Sequence, residues 1–276
     1  ELFHLHLSGT LAPPDQRRAL IQSFYEQGGE GIRTGNLALD ALLESGHFSS
    51  SSNFDFGARP RDFGWHPPTY GDIWNWYKDG VALATSLGAE PSRRAEIKKI
   101  VSGNLRGILG IKSCLEAVEG AVEAFLNDGE WIEGWLAIRG SLRFDGDGWQ
   151  ATVKERVEAL EAKLRPTDPL NIARAYVMEG RSGFDLLDGD RSEEQDLSGA
   201  LNRLADKAEA IGRDFGAETD LLQQFLPEVL SVNHAPRAFA FGMGLAASEM
   251  PNVEMWAILR TALLALPLDK RNASVL

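Results

Sequence analysis

Cysteine is almost missing from this 276-residue chain: the single thiol, Cys114, excludes an internal disulfide and any multi-cysteine zinc site. That usage fits a reducing compartment, and the expected location is the cytoplasm. No apolar run approaches the roughly 20 residues needed to span a bilayer, and the N-terminus lacks the basic, apolar and small-residue order of a signal peptide. Membrane insertion is not expected. Basic residues are the minority, 28 Lys and Arg against 40 Asp and Glu, so the formal charge of -12 opposes nonspecific attraction to a nucleic-acid backbone. Runs of alternating β-branched residues bounded by hairpin turn pairs are missing, as is the helix and strand alternation of a barrel or doubly wound sheet. So is a Walker-type GxxxxGK[ST], and the chain supplies no P-loop of its own.

What is present is helical. Apolar residues make up 43% of the chain and seven Trp are among them, enough to bury a core. Val153, Val157, Leu160 and Leu164 recur at three-and-four spacing with Lys154, Glu155, Glu158 and Glu161 between them, which predicts an amphipathic helix. Leu197, Leu201, Leu204, Ala208 and Ile211 repeat the pattern, as do Leu115, Val118, Val122, Phe125 and Leu126. Phe3, Trp74, Trp131, Trp135 and Trp256 lie within such patterns and are expected in the core.

Gly and Pro breakers group the helices in pairs, at about 14–27 with 30–45, 71–87 with 92–109, 113–127 with 130–142, 151–165 with 168–179, 197–215 with 218–230, and 235–248 with 252–266. Short loops predict antiparallel neighbours. Most pairs start roughly 40 residues apart, near the period of HEAT-like repeats. The expected fold is all-α: one region over 1–276, a right-handed α-solenoid of antiparallel helical hairpins, HEAT/TPR-like with degenerate repeats. A compact irregular helical domain is the alternative. The start at Glu1 on an apolar run reads as a segment of a longer chain.

Two connections exceed what such hairpins need. Residues 47–71 mix serines with Phe54, Phe56, Phe63, Trp65 and Tyr70, too aromatic for a free linker, and are expected to be ordered against the helices. Residues 180–196 are acidic and glycine-bearing with fewer apolar residues, and are expected to be exposed.

The chemical signals are sparse. His4 and His6 form an HxH in FHLHLSGTLAP, similar to the first metal-binding segment of adenosine deaminase-type amidohydrolases, in which alternate strand residues present two imidazoles to a water-activating metal. Ser8 stands where that family usually has Asp, and no HAGE-like segment follows. If residues 2–7 instead end a helix, the two imidazoles point roughly 200° apart and cannot share an ion. The helical reading is preferred, the likeness is taken as coincidental, and a metal-dependent hydrolase using His4 and His6 is the alternative function. FDGDGW, with Asp145 and Asp147, reads as a polar turn, since Arg156 holds the twelfth position where a calcium loop needs Glu. Cys114, without a neighbouring His, reads as a small buried residue. No catalytic, metal or cofactor residue is assigned.

The cluster ARPRDFGWHPP places Arg59, Arg61, Asp62, Trp65 and His66 in one rigid stretch, residue types favoured at binding hot spots. It is the candidate partner-binding surface. Its structural alternative has Phe63 and Trp65 stapling the loop onto the helix of Ile73, Trp76 and Tyr77 while Arg59 or Arg61 pairs with Asp62.

ELFHLHLSGT, APPDQR and ESGHFSSSSNFDFGARPRDFGWHPPTYGDIWNWY resemble segments of large bacterial proteins in which a STAND-type, NACHT-like NTPase precedes a helical-repeat region. The resemblance spans most of the chain. It implies a non-catalytic sensor or scaffold in antiviral defence, recognising a phage or cellular protein or packing on the rest of its own chain. Nucleotide and magnesium would bind upstream, and no catalytic residue carries over.

Overall fold

The computed structural model describes residues 2–6, 8–46, 64–111, 113–179, 186–187 and 197–267. Its contacts gather into two compact units, Glu1–Leu164 and Arg165–Leu276. Among the described residues the chain is all-helical, with no β-strand and an isolated bridge residue at His6.

The first unit holds α1 (Pro14–Gln27), α2 (Glu30–Leu43), α3 (Tyr70–Leu87), α4 (Pro91–Leu109), α5 (Leu115–Leu126), α6 (Ile132–Asp145) and α7 (Ala151–Leu164), with a 3-10 turn at Gly146–Gly148. Their ends follow from local chemistry. Pro14 and Pro91 occupy first-turn positions, where a missing N–H costs nothing. Gly28 and Gly29, at φ of 68° and 50°, let α1 turn into α2 through backbone that a Cβ disfavours. Thr69 and Asp72 cap α3 reciprocally: the Asp72 amide donates to Thr69 Oγ1 at 3.3 Å and the Thr69 amide to Asp72 Oδ2 at 2.9 Å.

Alternate helices pack together. One row runs α1, α3, α5, α7 and the other α2, α4, α6, with α1 against α2 and α6 against α7 closing the two ends. The residues buried in this unit include Trp76, Tyr77, Val101, Phe125, Trp131 and Trp135. Two polar tips inside this core are satisfied by α2. Trp76 Nε1 donates to the Leu42 carbonyl at 2.8 Å and the Tyr77 hydroxyl to that of Glu44 at 3.0 Å, so α3 serves the oxygens left over at the end of α2.

The second unit holds α8 (Pro169–Ala173), α9 (Leu197–Ala217), α10 (Thr219–Ser231), α11 (Ala238–Ala246) and α12 (Asn252–Ala265). The single helix expected over 168–179 is five α residues running into a π-turn at Arg174–Met178. Arg237 closes that turn: its guanidinium donates to the carbonyls of Tyr176 and Glu179 and, at 3.5 Å, of Ala175. A cation here also opposes the negative end of the helix dipole. The main partner of α11 is α9 and that of α12 is α10, alternate rather than adjacent pairing. Glycine makes the α9–α11 crossing close, since a Cβ at Gly212 or Gly244 would run into backbone of the facing helix. Beside it Phe215, Phe225 and Phe241 pack edge to face with centroids 5.3–5.9 Å apart.

Several expectations are corrected. Residues 2–6 form turns and a bridge, not the end of a helix. The carbonyls of His4, Thr10 and Ala12 are taken by Arg17, and the Thr10 carbonyl also accepts from Trp65, so this stretch is held from outside. Trp256 is 68% exposed rather than core, because α12 buries its opposite side through Ile258 and Ala262; Leu201 of α9 is exposed in the same way. Within 180–196 the described pair Leu186 and Leu187 is buried, so that connection has apolar anchors.

Candidate functional site

The five residues singled out in the sequence divide. Arg59, Arg61 and Asp62 lie outside the described residues. Trp65 is half-buried and its indole stacks on Trp76 of α3 at 6.1 Å with the planes 18° apart, the Trp65 part of the stapling expected as the structural alternative, whose Phe63 contact and arginine pair with Asp62 lie outside the described residues. His66 is exposed, with Nδ1 3.3 Å from the Gly64 carbonyl.

Beneath them sits Arg17 of α1, 2% exposed and not foreseen in the sequence. Its Nε donates to the Ala12 carbonyl at 2.8 Å, and its two terminal nitrogens to those of His4 at 2.8 Å and Thr10 at 3.3 Å. The guanidinium lies 5.8 Å from the Trp65 ring centre and 5.3 Å from that of Trp76. Burial lowers its pKa below the ordinary arginine value, though Arg stays charged. The histidines of the HxH have separate settings. His4 Nδ1 is 3.5 Å from Glu44, whereas His6 has its pKa lowered, first by burial and then by the neighbouring His66. Among the described residues, no three His, Cys, Asp or Glu side chains converge to hold an ion.

Among the described residues each unit carries at least one surface groove. In the first unit a cavity of about 680 Å³ lies at the C-terminal ends of α2, α4 and α6, lined by Asp40, Glu44, Asn104, Arg106 and Asp145 over Gly103, Gly107 and Gly110. Its polar groups already serve one another: Asn104 donates to Asp40 at 2.8 Å, and Arg106 grips Asp145 at 2.7 and 3.0 Å. Asp145 is thus an ion-pair partner, in accord with the polar-turn reading of FDGDGW. In the second unit a groove of about 490 Å³ runs between α10 and α12, apolar at Pro227, Ala257, Ile258 and Ala262 and polar at Thr219, Gln223, Glu254 and Thr261.

No family model, curated protein or solved structure matches this chain. The site must therefore be read from its own chemistry. Cys114 is fully buried beside the Trp74 carbonyl, and burial pushes its thiol up to about 11, far from a nucleophile at neutral pH.

Two apolar pairs not singled out from the sequence stand out on exposure. On α11, Phe239 is 83% exposed with Met243 one turn on; on α12, Val253 is 83% exposed with Trp256 beside it. Phe239 and Met243 are four apart, Val253 and Trp256 three apart, so each pair lies along one side of its helix. That spacing is legible in the sequence. What periodicity cannot show is that no described helix covers these sides.

Proposed function

We propose that this chain is a non-catalytic helical scaffold that binds a protein partner, the interaction or sensor region of a larger bacterial protein. The observation that carries this reading is two exposed apolar pairs, Phe239 with Met243 on α11 and Val253 with Trp256 on α12. Apolar pairs left in water in this way favour association with a partner, and the Trp is a favoured hot-spot residue. The fold supports the same reading. In Glu1–Leu164 alternate helices pack in two rows, the pattern that stacked antiparallel hairpins of an α-solenoid produce, and such stacks serve as extended binding surfaces. The resemblance to repeat regions of STAND-type NTPases supports a cytoplasmic role in antiviral defence, with a phage or cellular protein as trigger. A charge of -12 favours a protein over a nucleic acid.

The test compares wild type with a Phe239→Ser, Trp256→Ser double variant as bait in lysates of infected and uninfected cells. Both side chains are exposed, so the melting curve should be unchanged. The reading requires a partner retained by wild type and lost at least roughly tenfold by the variant. Identical capture by two equally folded baits would refute it.

A further inference from the structure

We propose that the groove between α10 and α12 takes an extended segment of a partner protein, one that brings a Lys or Arg followed by apolar side chains. The inference rests on the reading of the chain as a partner-binding scaffold and gives it a second contact, distinct from the exposed apolar pairs. Helix spacing builds both walls. Thr219, Gln223 and Pro227 recur every fourth residue along one side of α10, and Glu254, Ile258 and Ala262 do so along α12. Beside them Ala257 and Ala265 are too short to fill the space between the helices. The resulting volume, about 490 Å³, falls within the range of about 300–1,000 Å³ typical of binding pockets.

The chemistry of the walls selects the occupant. Glu254 is the one ionisable side chain in the lining, and its carboxylate accepts from the Thr219 hydroxyl at 3.4 Å, the long end of a hydrogen bond. Such a bond leaves the charge to be met by a cation. Glu218 and Asp220 flank Thr219 in the chain and strengthen the negative sign at that end. No base opposes it from the walls: α10 carries none, and the one in α12, Arg260, stands outside the lining. Farther along, Pro227 sits inside α10 without an N–H, so the Gln223 carbonyl lacks the donor that a helix would give it four residues on. An extended segment has unspent backbone N–H groups to serve that oxygen, whereas a helical one has used its own. Pro227, Ile258 and Ala262 then offer apolar contact. From Glu254 to Ala262 the helix rises about 12 Å, which about four residues of extended chain cover. The basic residue and the last apolar side chain of the occupant are thus about four positions apart.

Selection of a random peptide library displayed on phage against the full chain tests this. Retained peptides should share a Lys or Arg with apolar residues in the next four positions. Their synthetic, dye-labelled forms should bind the wild type in fluorescence anisotropy and bind two variants at least roughly tenfold more weakly. Glu254→Arg reverses the charge at the acidic end, and Ala257→Phe fills the groove; both side chains are exposed, so the thermal melts should stay close to wild type. Should Ala257→Phe fail to fold, Glu254→Arg still decides. The Phe239→Ser, Trp256→Ser double variant should bind these peptides as wild type does, since neither residue lines the groove. Failure of the exposed pairs to capture a partner and failure of the groove are therefore separate results. The proposal is overturned if no peptide is retained, if the retained peptides lack a basic residue, or if the folded groove variants bind them as tightly as wild type. It is equally overturned by a dimer in sedimentation that Ala257→Phe abolishes, because a second copy would then be the occupant.

Discussion

Glycine 244 offers the sharpest test of the packing argument, because Gly242 lies two residues away in the same helix as its control. A methyl at Gly244 would overlap the Glu209 carbonyl oxygen and stand 2.8 Å from its carbon and 2.9 Å from the Arg213 amide nitrogen. Relaxed carbon contacts need about 3.5–4.0 Å, so α9 and α11 would have to part by about 1 Å. A gap of that size forfeits about a quarter to a half of each dispersion contact along the crossing. The Phe215, Phe225 and Phe241 contacts, worth about 0.5–1.5 kcal/mol each, lie in its path. With strain of about 1–3 kcal/mol for overpacking and a gain of about 1 kcal/mol for Ala over Gly in a helix, Gly244→Ala should cost about 2 kcal/mol. A Cβ at Gly242 meets nothing within 4 Å, so Gly242→Ala keeps the propensity gain of up to about 1 kcal/mol. Urea unfolding followed by circular dichroism should therefore shift the two midpoints in opposite directions. Shifts of the same sign would refute the close crossing.

Two further predictions concern buried polarity. Glu161 accepts from Trp135 Nε1 at 2.8 Å and from Arg139 at 3.1 Å, both side chains being largely buried, so Glu161→Ala should cost about 3–5 kcal/mol in urea or thermal unfolding. A cost below about 1 kcal/mol would show the pair to be solvated. The thiol of Cys114 is raised from 9.0 to about 11 by burial, so folding favours its neutral form. Its contribution is complete below about pH 9 and lost as pH rises through about 11, on the order of 2–3 kcal/mol. Cys114→Ala should accordingly flatten the alkaline fall in stability over that window, and an unchanged fall would contradict it.

Much of the fold could be read from residue order because its punctuation is local. Pro14, Pro91, Gly28 and Gly110 mark helix ends through backbone constraints that do not depend on the rest of the chain. The π-turn at Arg174–Met178 was not legible, since its closing group, Arg237, arrives from some sixty residues away. Trp256 fits a helical stripe and still faces water: periodicity says which side of a helix is apolar, not whether anything covers it. For Trp65 the aromatic content of its stretch pointed rightly to a stacking partner in α3. Arg17 left no trace at all, because an arginine in a first helical turn reads as solvated until its neighbours in space are known.

Arg17 and Arg237 share one habit, that of gripping main-chain oxygens. Positions 4, 10 and 12, and likewise 175, 176 and 179, supply only the oxygen every amino acid carries, so their side chains are chemically anonymous to the clamp. Substitution at those six positions can proceed without weakening it, provided the backbone path survives. Replacement of either arginine by lysine would forfeit it, because an ammonium lacks the planar fork. Such a clamp is exacting at one residue and permissive at its partners, and it leaves no motif behind.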